Sequence, residues 1–89
     1  MRAVITVIGK DTVGIIAKVS NKCSEYNVNI IDITQKVFED TFAMIMMVDT
    51  NSVSISFTDF VDKMSELGKE IGLSIHTMHE DIFNSMHRI

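Results

Sequence analysis

No proline occurs in the 89 residues, and no low-complexity stretch or linker interrupts them, so the length points to a single domain. Cys23 is the only cysteine. An internal disulfide framework is thereby excluded, and a reducing cytoplasm becomes the expected setting. The same scarcity removes the CxxC pair that a metal-carrying first loop would need. Basic residues are few as well. Eight Lys and Arg against twelve Asp and Glu leave a formal net charge of -4, and no window forms a basic stripe. Nucleic acid is therefore not an expected partner, because a phosphate backbone is held by clustered positive charge. No apolar run approaches a membrane span, and the opening Met1-Arg2-Ala3-Val4 is too short for a signal peptide, so no membrane is expected either.

What is present is an apolar surplus. Hydrophobic residues make up 46% of the chain, rich for so small a body. A domain of this size buries roughly 60–65% of the surface its unfolded chain exposes, so some apolar surface calls for a partner. A homodimer is the expectation.

The first segment, Ala3 to Ile8, is β-branched and apolar, as a buried strand should be. Gly9-Lys10-Asp11-Thr12-Val13-Gly14 breaks it, and Asp11 or Thr12 is placed to cap a following helix. In that helix Ile15, Ile16, Val19, Cys23 and Tyr26 share a face, and Asn27 suits a left-handed stop. Asn29 to Phe38 and Thr41 to Asp49 read as antiparallel strands around Glu39-Asp40, followed by a polar loop, Thr50 to Ser56. Phe57, Phe60, Val61, Met64, Leu67 and Ile71 then mark the clearest helix, capped by Ser56, ended by Gly72 and carrying an Asp59–Lys63 pair. Leu73 to Met78 alternates as a last strand. From Asp81 onward Ile82, Phe83, Met86 and Ile89 share the face of a short helix, with His87-Arg88 at its end, and a helix so short must dock on something.

Strand-helix-strand twice, joined by a hairpin, gives the α+β ferredoxin-like βαββαβ sandwich. It has one antiparallel four-stranded sheet, two helices on one face, and here a short C-terminal helix. The other sheet face stays open, which invites dimerisation.

Catalytic chemistry finds little support in these residues. Cys23 lies on the apolar helix face and reads as a small core hydrophobe. His76, His79 and Asp81 resemble metal ligands, yet residues three apart on a strand point to opposite faces, so no metal site and no enzyme is expected. Base stacking on a sheet needs aromatics, and the first strand has none. The Gly9–Ile15 turn remains. Two glycines let the backbone approach a guest, and a helix start offers free N–H groups to a carboxylate. The same glycines serve equally well for a tight turn and close packing alone.

At this turn the sequence resembles the ACT domain family. Ile8-Gly9-Lys10-Asp11-Thr12-Val13-Gly14-Ile15-Ile16-Ala17 is similar to the family's signature G-x-D-R-x-G-I-[IV]-A, and Tyr26-Asn27-Val28-Asn29-Ile30 to its Asn-Ile entry into the second strand. The resemblance covers residues 1–79 and is greatest to ACT domains of the glycine-cleavage repressor and formyltetrahydrofolate deformylase, and to small bacterial proteins of one such domain. It implies a non-catalytic regulatory module without a cofactor that senses an amino acid or similar small ligand at a homodimer interface. Gly9, Asp11, Val13, Gly14 and Ile15 of one copy would face Asn29 and Ile30 of another. Thr12 stands where Arg is usual and Val13 where Pro is frequent, so the loop is less basic and less rigid than the common form. Residues 80–89 form a helical extension, packed on the same domain or on a partner subunit, and any signal passes to a separate protein target. The alternative is an interaction and oligomerisation module with no small ligand, its candidate surfaces being the Met44-Met46-Met47 strand and the tail.

Overall fold

The computed structural model describes residues 1–86. The chain runs β1 (Arg2–Lys10), α1 (Ile15–Glu25), β2 (Asn29–Phe38), β3 (Thr41–Asp49), α2 (Phe57–Ile71), β4 (Leu73–His79) and α3 (Glu80–Met86). All strand pairs are antiparallel, in the order β2-β3-β1-β4, which is the ferredoxin-like sandwich. His87, Arg88 and Ile89 lie outside the described residues, so the expected basic end of the tail helix and the place of Ile89 on its face lie there too.

Alternation along each strand decides which side chains meet the helices. Ala3, Ile5 and Val7 of β1, Phe42, Met44, Met46 and Val48 of β3, and Leu73 and Ile75 of β4 form the core with Ile15, Val19 and Cys23 of α1 and Phe60, Met64 and Leu67 of α2. Met44 and Met46 are thus core residues and cannot serve as a docking stripe. α1 lies over β2 and α2 over β4. Gly68 of α2 faces the backbone oxygen of Leu73 so closely that an added Cβ would stand 2.6 Å from it, and this closeness seats the helix on β4.

The helix ends show which local signals carried through. Ser56 Oγ accepts the Asp59 N–H at 3.1 Å, and Gly72 closes α2 in the left-handed region. Asn27, at φ 60°, ends α1 while the Val28 N–H returns to the Cys23 carbonyl at 2.8 Å. Three expectations fail. Lys63 pairs with Glu66 at 3.8 Å rather than with Asp59, whose backbone is engaged by the Ser56 cap. Neither Asp11 nor Thr12 caps α1. The N-cap is Gly14, with no side-chain bond, because the helix begins later than the sequence suggests. Ile16, expected on the buried face, is partly exposed for the same reason: Ile15 takes the inward position.

The second sheet face is not bare. Val4 is fully buried although it points away from α1 and α2, because α3 folds back over β1 and β4. An Arg2–Glu80 ion pair at 2.7 Å and a bond from the Asp81 N–H to His79 Nδ1 at 3.0 Å hold the start of α3.

Two outcomes follow from this core. Phe60→Ala empties its centre and is expected to cost about 3–5 kcal/mol in urea denaturation. Burial pushes the Cys23 thiol from 9.0 up to about 11. The unfolded chain then ionises before the folded one does, so stability declines as pH rises from 9 toward 11 and is unaffected below. The Cys23→Ala protein, weaker overall, should lose less stability across that window, as denaturation at stepped pH would show.

Candidate functional site

Between β1 and α1 the backbone makes a tight passage. Gly9 is the last inward-facing position of β1, opposite Phe42 and Leu73, and a Cβ there would run into the Leu73 side chain. Its lack of a side chain therefore serves strand packing. The Asp11 N–H is tied to the Asp40 carbonyl at 2.8 Å, which anchors the loop to the β2–β3 turn. That turn puts Glu39 at φ 58°, a left-handed conformation unusual for glutamate. Gly14 sits at φ 86°, ψ 11°, where any side chain is disfavoured.

Ile15 turns its side chain into the core, so only its backbone faces outward. The first helical bond runs from Lys18 N–H to the Gly14 carbonyl at 3.0 Å, which leaves the earlier N–H groups of α1 without helical acceptors. These groups edge a hollow of about 270 Å³ lined by Asp11, Thr12, Gly14 and Ile15 on one side and Gln35, Val37 and Phe42 on the other. The Asp11 carboxylate makes no capping bond and stands at this rim. Val13 is 96% exposed, an apolar side chain held almost wholly in water.

Asn29 and Ile30 stand elsewhere. They open β2 beside a polar cleft of about 510 Å³, shared with Ser20, Ser24, Asn27 and Ser52. The Asn27 Nδ2–H bond to the Ser52 carbonyl at 3.0 Å closes one wall. The serines were not anticipated, although their spacing of four on the polar side of α1 is a readable sign of a shared face. The structure therefore groups Asp11, Gly14 and Ile15, puts Val13 and Gly9 just outside their hollow, and separates all of them from Asn29 and Ile30. Eleven residues of α1 span about 16 Å, too far for one small molecule to touch both ends.

Both sites nevertheless flank one strand. β2 is an edge strand, with Asn29 at one end and Val37 at the other, and a bulge at Ile31. His76 and His79 diverge as strand spacing requires: His76 Nε2 shares a bond with Ser74 Oγ at 3.1 Å, and His79 turns to Asp81. Among the described residues no group of three or more His, Cys, Asp or Glu is placed to hold a metal, and no helix is long and apolar enough to cross a membrane.

Comparison with known proteins places this geometry. A UPF0237 protein of Listeria innocua is 45% identical over 89 residues, covering all of both chains. An ACT domain protein from Streptococcus pneumoniae superposes with a TM-score of 0.82 at 36% identity over 93% of each chain. The regulatory subunit of aspartate kinase from Thermus thermophilus matches 85% of this chain and 49% of its own, with a TM-score of 0.67 at 25% identity. The model of the ACT domain matches residues 2–78, and the chain belongs to the ACT domain family.

Proposed function

We propose that the chain is a non-catalytic regulatory module of the cytoplasm that senses an amino acid where two copies meet. The observation that carries this reading is the position of the two clefts at opposite ends of one edge strand. β2 is ten residues long and exposes nearly its whole length. If β2 pairs antiparallel with β2 of a second copy about a point near Ile33, Asn29 of one lies against Val37 of the other. The loop hollow of each copy then abuts the polar cleft of its neighbour, and two complete sites form from four halves.

The chemistry of the halves is complementary to an amino acid. Free N–H groups and the positive end of the α1 dipole suit its carboxylate. The Asp11 carboxylate and the carbonyl and amide oxygens around Asn29 suit its ammonium. Likeness to a regulatory subunit of aspartate kinase supports a regulatory role. The exposed Val13 and the exposed Ile31 and Phe38 of β2 are apolar surface such an interface would bury. A ligand of about 8 heavy atoms at ~0.7 kcal/mol each binds with a dissociation constant on the order of 0.1 mM, suited to reading a metabolite pool. A separate protein would receive the signal.

Thermal unfolding of the purified protein against each common amino acid tests the reading. A ligand at 100 times its dissociation constant adds about 2.7 kcal/mol, a rise of roughly 10 °C or more for a domain this small. One selective shift is expected, and a flat panel from a folded dimer would favour an interaction module without a small ligand. Gly14→Asp should abolish the shift while the protein stays folded; normal binding by that variant would show the site to be misplaced. Ile33→Lys sets two like charges directly opposite at the centre of the paired strands, so sedimentation should report a monomer that has also lost the amino-acid response. A monomer that still responds would sink the shared-site geometry.

A further inference from the structure

The apolar hollow beneath α3 lies on the sheet face opposite α1 and α2, and the amino-acid reading makes no use of it. Antiparallel register sets this face out in rows. Met47, Val4 and Met78 form one row across β3, β1 and β4; Ile45, Thr6 and His76 form the next; Ala43, Ile8 and Ser74 the third. Thr6 and Ala43 are short, whereas Ile8, Ile45 and Met78 around them are long, so the face is dished. Phe83 and Met86 of α3 pass over the dish, and with Thr6, Ile8, Ala43, Ile45, His76 and Met78 they line an open hollow of about 420 Å³. That lies within the roughly 300–1,000 Å³ usual for small-molecule pockets, which are likewise mostly apolar with a few polar groups.

The walls of the hollow remain open to water. Ile8 remains 51% exposed, Ile45 45% and Met86 63%, and no residue of α3 is buried. An apolar guest would take all three side chains out of water at once.

Charge at one end of the hollow defines the rest of the guest. Lys36 of β2 is the cross-strand neighbour of the floor residue Ala43, and Lys10 follows two positions beyond Ile8 on the same face. Lys36 takes part in none of the ion pairs among the described residues. His76 stands beside Thr6 with Ser74 bonded to it. The acidic residues of the face lie at the far end: Asp32 is the neighbour of Met47, Asp49 is turned to Asn51, and Glu80 pairs with Arg2. Glu39 and Asp40 occupy the turn beyond Phe38.

We infer that this hollow is a second ligand site, which takes a small amphiphilic carboxylate with its apolar body between α3 and the sheet and its carboxylate toward Lys36. The site is independent of the proposed amino-acid site, which lies on the other side of the sheet and at its β2 edge.

Octanoate is the probe that tests it. Titration of the full chain, followed by methyl NMR, should give saturable shifts at Ile8, Ile45 and Met86 with a dissociation constant on the order of 0.1–1 mM. The Gly14 and Asn29 amides should stay in place. Ala43→Leu fills the floor with a side chain that an exposed strand position tolerates, and is expected to abolish saturation. Lys36→Gln should weaken octanoate about two- to fivefold, as an exposed ion pair would, and leave octanol binding unchanged. Shifts that never saturate, saturation that survives Ala43→Leu, or equal weakening of acid and alcohol by Lys36→Gln would each overturn the assignment. So would protection of Ile8 and Ile45 in the unliganded protein by a second copy, seen as concentration-dependent shifts at those methyls.

Discussion

β1 is the strand on which everything else is indexed. It is hydrogen-bonded to β3 on one side and β4 on the other, and apolar side chains leave both of its faces. Val4 and Ile5, adjacent in sequence and pointing oppositely, are both fully buried. A strand enclosed on four sides has no freedom to slip, because a one-residue shift would exchange its two faces. Its end at Lys10 therefore fixes where the loop to α1 begins. Its register fixes which residues of β3 and β4 lie beside Thr6 and Ile8.

This constraint explains why so much of the fold was legible. β2 and β3 begin and end where alternation and the Glu39-Asp40 break place them, and α2 begins after Ser56 and stops before Gly72. Such elements have strong local signals that agree with their tertiary surroundings. The first helix is the counter-example. Asp11 looks like a cap by residue type, but its backbone is drawn to Asp40 on the far side of a hairpin, a contact between residues 29 apart that no local pattern announces. Gly14 then supplies the left-handed turn that a side-chain cap would have replaced. The candidate site divides in the same way between local pattern and folded chain. The Gly9–Ile15 and Asn29-Ile30 motifs put these residues forward as one site, while their separation to the two ends of α1 is a property of the folded chain.

The tail shows how an apolar surplus is disposed of. A sandwich with helices on one face has twice as much strand surface as it has cover. α3 closes part of the gap by covering Val4 and Met78, and the Arg2–Glu80 pair sets it in place. Seven residues make a helix too short to persist alone, so it exists only because the sheet beneath it is apolar. Small residues in that sheet, Thr6 and Ala43, keep the contact from being complete.

Coverage by α3 also bears on how two copies would meet. A second molecule approaching the open face meets Phe83 and Met86 rather than a flat sheet, and a broad face-to-face contact would first have to displace them. β2 carries no such obstacle. Its outer edge runs for ten residues with no strand beside it, the arrangement that most readily recruits another strand, and only the Ile33 N–H is turned aside, to Asp32 Oδ1 at 2.9 Å. Lys36 and Asp32 lie along that edge, and antiparallel pairing about Ile33 would set Asp32 opposite Thr34 and Lys36 opposite Ile30, with Asp32 of one copy diagonal to Lys36 of the other. No like charges are set directly opposite by that register, and the two Asp32 carboxylates that meet diagonally across its centre are each flanked on the other diagonal by a Lys36 of the other copy, so the geometry that completes the two clefts brings compensating charge with it.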